Sequence, residues 1–220
     1  METVSASPPT WPLPGLRLHT GEVTLRPVIE ADLHLLGALL PDDVELNPDA
    51  PRPFGLTGRA ERAVVLRQEY WRHLGAWTPS AWRLPLLVLL SGEPVGFQEL
   101  EGKDDFLVRR TVDTSSWLVA TARGHGIGKA MRTAVLALAF EGLNADSAVT
   151  EAWHDNAASL GVSRSLGYVD AGTHDHPRAG GTDQMVGLHL DRTAWQAHPR
   201  PPVRIEGLDA CRHLFGPALP

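Results

Sequence analysis

Arg123-Gly124-His125-Gly126-Ile127-Gly128 places three glycines within six residues, between a strand-like run and a helix-like one. The run before it, Val112 to Val119, has strand character, and the run after it carries Ile127, Met131, Ala134, Val135 and Leu138 at helical spacing. Glycines at such a junction remove Cβ atoms, so backbone N–H groups can approach a ligand closely. The helix N-terminus adds about half a positive charge. The turn therefore predicts a phosphate or pyrophosphate site. A Rossmann fingerprint needs glycine where Lys129 stands. A Walker A loop needs glycine where Arg123 stands and Ser or Thr where Ala130 stands. The pattern [Arg/Gln]-x-x-Gly-x-[Gly/Ala] is met in full by Arg123, Gly126 and Gly128.

The elements around the turn follow from periodicity and breakers. Glu22 to Val28 reads as a strand ended near Pro27, and a helix from about Glu30 stops at Pro41. Thr57 is the expected N-cap of a helix running to about Trp77, before Pro79. Leu84–Leu90 and Pro94–Leu100 form a hairpin across Gly92-Glu93. Ala148 to Trp153 is the next strand. Asp155 or Asn156 caps a short helix ended by Gly167, and Tyr168–Thr173 and Gln184–Leu190 are the last strands. The order is β-α-α-β-β-β-α-β-α-β-β, a mixed α/β domain more antiparallel than parallel. Four prolines among residues 1–20 predict an extended arm, and five among residues 199–220 an irregular tail, leaving residues 21–198 as one domain. The proline-rich ends are candidate contacts for a homodimer.

Three segments in order resemble the GNAT superfamily of acetyl-CoA-dependent N-acetyltransferases, in the branch typified by RimJ and RimL. They are Ser116-Trp117-Leu118-Val119 leading into the turn, the turn itself, and Asn156-Ala157-Ala158-Ser159 followed by Leu166-Gly167-Tyr168. The resemblance spans about residues 22–192 and implies the GNAT fold, a mostly antiparallel sheet flanked by helices, with acetyl-CoA as co-substrate. It implies that Leu118, Val119 and Ala120 pair with the pantetheine, and that Arg123, Gly124, His125, Gly126, Ile127, Gly128 and Lys129 cradle the pyrophosphate, with Asn156 and Ser159 beside the cofactor. Acetyl transfer needs a base for the amine and a donor for the departing thiolate. The resemblance points to Asp113 as the base, with Glu99, His154 or a water competing. Many family members carry a tyrosine seven residues after the Asn, where this chain has Ser163; the RimL-like branch has a serine three residues after it, matched by Ser159. A non-catalytic acyl-CoA-binding module is the alternative reading.

The net charge of -6 argues against a nucleic-acid partner. No apolar run reaches the ~20 residues that span a bilayer. The single cysteine, Cys211, excludes an intrachain disulfide and fits a reducing compartment, so a cytoplasmic location is expected. His174-Asp175-His176 and the pair Cys211 and His213 lack zinc-site spacing, and no metal is expected. Asp42, Asp43, Glu45 and Asp49 form an acidic loop suited to attracting a cationic amine, either a small molecule or a protein N-terminus. The cleft beside the final hairpin, near His174 and His176, is the other candidate acceptor region.

Overall fold

Leu16, Leu18, Val23 and Leu25 alternate with less buried residues, and this period of two builds an edge hairpin. Its strands, β1 (Arg17–Thr20) and β2 (Val23–Pro27), pair antiparallel around Gly21, whose φ of 56° suits glycine. The structure, a computed structural model, describes residues 10–45, 54–103, 105–178 and 181–216. After β2 the chain turns on Asp32, whose carboxylate accepts from the Ile29 N–H at 2.8 Å and from Arg26 at 2.6 and 2.7 Å. Helix α1 (Leu33–Leu39) follows, then α2 (Gly58–Gly75) with Thr57 at its N-cap. Strands β3 (Trp82–Leu90) and β4 (Glu93–Gly102) form the expected hairpin. A single turn, α3 (Phe106–Arg109), leads into β5 (Thr111–Leu118). Then come α4 (Ile127–Ala137), β6 (Ser147–Trp153), α5 (Ala157–Arg164), β7 (Val169–Arg178) and β8 (Gly181–Asp191). The chain continues through α6 (Arg192–Ala197), β9 (Arg204–Glu206) and α7 (Leu208–Cys211).

The strands make one sheet in the order β7-β8-β6-β5-β4-β3-β2-β1-β9. Every neighbouring pair is antiparallel except β5 and β6, which run parallel. One face buries α4, whose residues Met131 to Leu138 are all buried, so this helix has no solvated stripe. The other face carries α1 and α2 over Val28, Leu33, Leu36 and Leu87. Each fully buried leucine contributes about 1.5–3 kcal/mol of transfer free energy. Among the described residues, no helix is long and apolar enough to cross a membrane.

The expected order is present as β2-α1-α2-β3-β4-β5-α4-β6-α5-β7-β8, but the chain ends differ from the irregular arm and tail. β1 pairs with β2 on one side and β9 on the other, so residues on both sides of the expected 21–198 boundaries share the sheet. Prolines are compatible with this because the pair sits at an edge. Trp11, from the first segment, packs edge-on against Trp77 at 5.5 Å, and Phe215, from the last, meets both Trp77 and Trp82. The Trp77 indole N–H donates to the Leu214 carbonyl at 2.8 Å.

Candidate active site

Gly124 and Gly126 have φ of 78° and 79°, the left-handed region in which a side chain is strained. A Cβ at either would meet nothing within 4 Å, so both open outward. The first backbone bond at the start of α4 runs from Ala130 N–H to the Gly126 carbonyl at 3.0 Å. The N–H groups of Ile127, Gly128 and Lys129 therefore lie before the helical ladder and are available to an anion. Gly128 has no positive φ, and its Cβ would point inward to Val162 at 3.6 Å, so it serves helix packing more than ligand approach. Ile127 is buried and offers only its backbone, whereas His125 and Lys129 are exposed at the rim. Arg123 turns aside: its Nε donates to the Leu118 carbonyl at 3.0 Å, and its terminal nitrogens hold Asp43 at 2.5 and 2.9 Å.

Strands β5 and β6 are registered only over residues 111–113 and 147–149. Thr150 Oγ1 donates to the Thr114 carbonyl at 2.7 Å, and beyond that bond the strands fork. Backbone groups alternate in direction along a strand. Val119 N–H bonds back to Val95 at 2.9 Å, so the N–H groups of Leu118 and Ser116 face the fork. Of the three residues expected along a pantetheine, Leu118 is thus the one with its N–H toward the opening. Val119 is not, because its N–H serves β4 and its carbonyl accepts from Ala122 at 3.0 Å; the Ala120 carbonyl accepts from Arg123 N–H at 3.3 Å.

On the other side of the fork, Asn156 Oδ1 accepts from Ser159 N–H at 3.0 Å and caps α5. The same bond places the Ser159 side chain in the first turn of that helix. Ser163 differs from its expected role as a donor to the thiolate. It is fully buried, with Arg132 3.5 Å from its Oγ, so it has no surface for a ligand. His154 is held by Asp183 at 2.9 Å on the hairpin side.

On the face carrying α1 and α2, Ser115 and Trp117 of β5 line a cavity of about 240 Å³. Val28, Leu36, Val65 and Phe97 give it apolar walls, and Glu69, His73, Arg83 and Glu99 supply polar groups. Burial pushes the Glu99 carboxyl up to about 7, against the opposing pull of Arg83 at 3.4 Å. Burial, helped by Arg83 and Arg72, lowers His73 to about 4. Asp113, the first choice for a base, lies outside this cavity. It pairs with Lys103 at 2.7 Å and accepts from the Thr114 N–H at 2.6 Å. Two positions along the sheet separate the carboxyl that lines the cavity from the one taken up by Lys103: Glu99, beside Arg83, stands opposite Ser115, whereas Asp113 stands opposite Glu101.

The acidic loop is also compensated. Asp43 pairs with Arg123, Glu45 with Arg178 at 2.9 Å and Asp42 with Arg59 at 3.8 Å, while Asp49 lies outside the described residues. The Arg123 guanidinium holds the Asp43 carboxyl below the usual carboxylate range. The loop therefore spans from the glycine turn to the β7–β8 hairpin as a strap. His174 and His176 sit on that hairpin, their rings 6.2 Å apart. Among the described residues, no group of three His, Cys, Asp or Glu side chains is arranged to hold a metal. Cys211 is buried, and burial pushes its thiol up to about 11.

A family model described as an acetyltransferase (GNAT) domain matches residues 22–169, about two thirds of the chain. The chain belongs to the GNAT acetyltransferase family, whose enzymes use acetyl-CoA as co-substrate. Among solved structures, RimJ of Mycobacterium smegmatis in complex with a CoA disulfide is similar at a TM-score of 0.65 and 16% identity, covering 92% of this chain and 95% of that one. RimL, a ribosomal alpha-N-protein acetyltransferase in complex with coenzyme A, is similar at a TM-score of 0.62 and 16% identity, covering 78% and 95%. A spermidine N-acetyltransferase SpeG chimera from Vibrio cholerae and hSSAT is similar at a TM-score of 0.63 and 16% identity, covering 81% and 100%.

Proposed function

We propose that the protein moves the acetyl group of acetyl-CoA directly onto a primary amine bound in the cavity beside Glu99. The observation that carries this reading is the placement of β5 as a shared wall. Leu118 and Ser116 turn backbone N–H groups to the fork, while Ser115 and Trp117 line the cavity. A thioester lying in the fork and an amine in the cavity then meet across one strand, which supplies proximity without a covalent enzyme intermediate. The glycine turn and the N-terminus of α4 hold the pyrophosphate, with His125 and Lys129 at its rim. Asn156 shapes the start of α5, and Ser159 offers its hydroxyl to the ligand from the first turn.

Glu99 is the base in this reading. A carboxyl held near 7 accepts a proton from an ammonium more readily than an ordinary one, and it faces the acceptor cavity. Asp113 is assigned to the ion pair with Lys103 instead. RimL and the SpeG chimera carry names for a protein amine and a polyamine as acceptors. The apolar walls here favour an amine on an apolar arm, as at a protein N-terminus with a hydrophobic first residue, over a polycation. Buried Ser163, standing where many family members have a tyrosine, supports the second reading, an acyl-CoA-binding module without turnover. Thiol release from acetyl-CoA with a panel of peptides and small amines separates the two. Binding with no release from any amine leaves the module reading, and absence of coenzyme A binding removes both.

A further inference from the structure

Arg132 lies on α4 with only 4% of its surface exposed, inside the fork of β5 and β6. Among the described residues no carboxylate lies within ion-pair distance of it. Its guanidinium is surrounded by hydroxyls: Ser116 Oγ at 3.4 Å, Thr150 Oγ1 at 3.5 Å and Ser163 Oγ at 3.5 Å from its terminal nitrogens, with the buried Tyr168 hydroxyl also beside it. All three bonds are at the long limit, and the Arg132 Nε has no acceptor. The buried hydroxyls of Thr114 and Tyr168 complete this polar cluster, with Tyr168 bearing on both Thr114 and Arg132 but neither hydroxyl in a well-formed hydrogen bond. The titratable groups around it are Tyr168, whose hydroxyl is pushed up by burial, and Asp113, which Lys103 already neutralises. A guanidinium stays protonated in proteins. A buried charge without a counter-charge is costly, and natural chains keep such a group where something else compensates it. Ser116 is exposed and follows the last β5–β6 registered pair, so the guanidinium edge that reaches it borders the opening of the fork.

We propose that Arg132 holds the leaving thiolate of the co-substrate, as the cation that the fork keeps in reserve for a ligand anion. The inference rests on the acetyl transfer proposed above. In the reaction the amine nitrogen bonds to the thioester carbonyl carbon, and the carbon–sulfur bond then breaks with its electron pair on sulfur. The ammonium has by then lost its first proton through Glu99 to solvent, and the surplus proton of the attacking nitrogen passes to the Glu99 carboxylate so regenerated. Arg132 donates an N–H to the sulfur anion and keeps its proton, so coenzyme A departs as a thiolate and is protonated by solvent. A charge-assisted donor thereby replaces a proton-transferring acid at a place where Ser163 presents no surface.

The direct test is a titration of the coenzyme A thiol on the protein, followed by the ultraviolet absorbance of its thiolate. In the unsubstituted protein the bound thiol is expected to titrate at least about one unit below free coenzyme A, a tenfold shift in the thiolate ratio. Arg132→Met is expected to return it to the free value and to lower kcat about 100-fold, while the unliganded protein melts no lower than the parent because an uncompensated charge has gone. Arg132→Lys is expected to restore part of the shift. A bound thiol that titrates like free coenzyme A in the unsubstituted protein overturns the proposal whether or not the variants fold. So does a shift that persists in Arg132→Met. Absence of coenzyme A binding to the unsubstituted protein, by calorimetry, overturns the acetyl-transfer reading itself, a distinct outcome.

Discussion

Arg123 and Asp43 are joined by two hydrogen bonds, at 2.5 and 2.9 Å, although 80 positions separate them in the chain. Through this pair the loop that carries Leu40, Val44 and Glu45 to the acceptor cavity is fastened to the glycine turn. Both partners are substantially exposed, so the pair itself is worth about 0–1 kcal/mol. Asp43→Asn is therefore expected to change the melting temperature by no more than a few degrees. Its larger effect falls on the cavity wall: KM for the amine rises several-fold and kcat stays near the parent value. Equal losses in kcat and kcat/KM would show that the loop orders the transition state instead.

The pH dependence is expected to follow Glu99. Its carboxyl is pushed from 4.5 up to about 7, so kcat/KM should rise with pH through an apparent pKa near 7. Glu99→Gln removes that limb, whereas Asp113→Asn leaves it in place. Stability runs the opposite way. Between about 4.5 and 7 the folded chain binds more protons at this site than the unfolded chain, so the contribution of Glu99 to stability falls as pH rises through that window. Glu99→Gln should accordingly melt higher than the parent at pH 8, by on the order of 1–3 kcal/mol in stability. Denaturant titrations at pH 5 and pH 8 measure the difference.

Gly126 separates backbone strain from ligand approach. Its φ of 79° is tolerated by asparagine far better than by valine. Gly126→Asn should fold with a loss of about 1 kcal/mol or less. Because the Cβ enters open space at the cradle, acetyl-CoA affinity should fall at least tenfold by calorimetry. Gly126→Val is expected to lose both binding and stability. Gly128→Ala, whose Cβ faces Val162 rather than the cradle, should bind acetyl-CoA within a factor of about three of the parent.

Asn156 and Ser159 share one hydrogen bond but have separable roles. Asn156→Ala removes the cap of α5 and should cost about 1 kcal/mol of stability. Ser159→Ala leaves the cap intact, since the bond uses its backbone N–H. Any loss of kcat in that variant therefore reports the hydroxyl. Unchanged turnover would assign Ser159 to packing at the helix start alone.

The glycine turn, the Asn156 cap and the Gly167 stop were legible because each is a local matter of a few consecutive residues. The β1–β9 edge was not, since pairing Arg17 with Glu206 depends on chain that is distant in sequence. The buried position of Ser163 is written in the spacing Leu160, Ser163, Leu166, one inward-facing row through the end of α5. Arg132 carries a comparable signal. It is the lone charged residue between Ala130 and Phe140, in a stretch of α4 and its continuation that is buried throughout, so no solvated face was available to take it. Choosing Glu99 over Asp113 required the sheet register and the position of Lys103, neither of which is a local property.

The fork between β5 and β6 divides the sheet at a short, parallel seam. Six strands stand on one side of it and three on the other, joined by three registered pairs. Hydrogen exchange should sense that seam as a boundary between two cooperative units, with the amides of β6, β7 and β8 opening at lower free energy than those of β2, β3 and β4. A ligand lying in the fork touches both units at once. Its binding would slow exchange in strands it never contacts, because neither half could then open without releasing it.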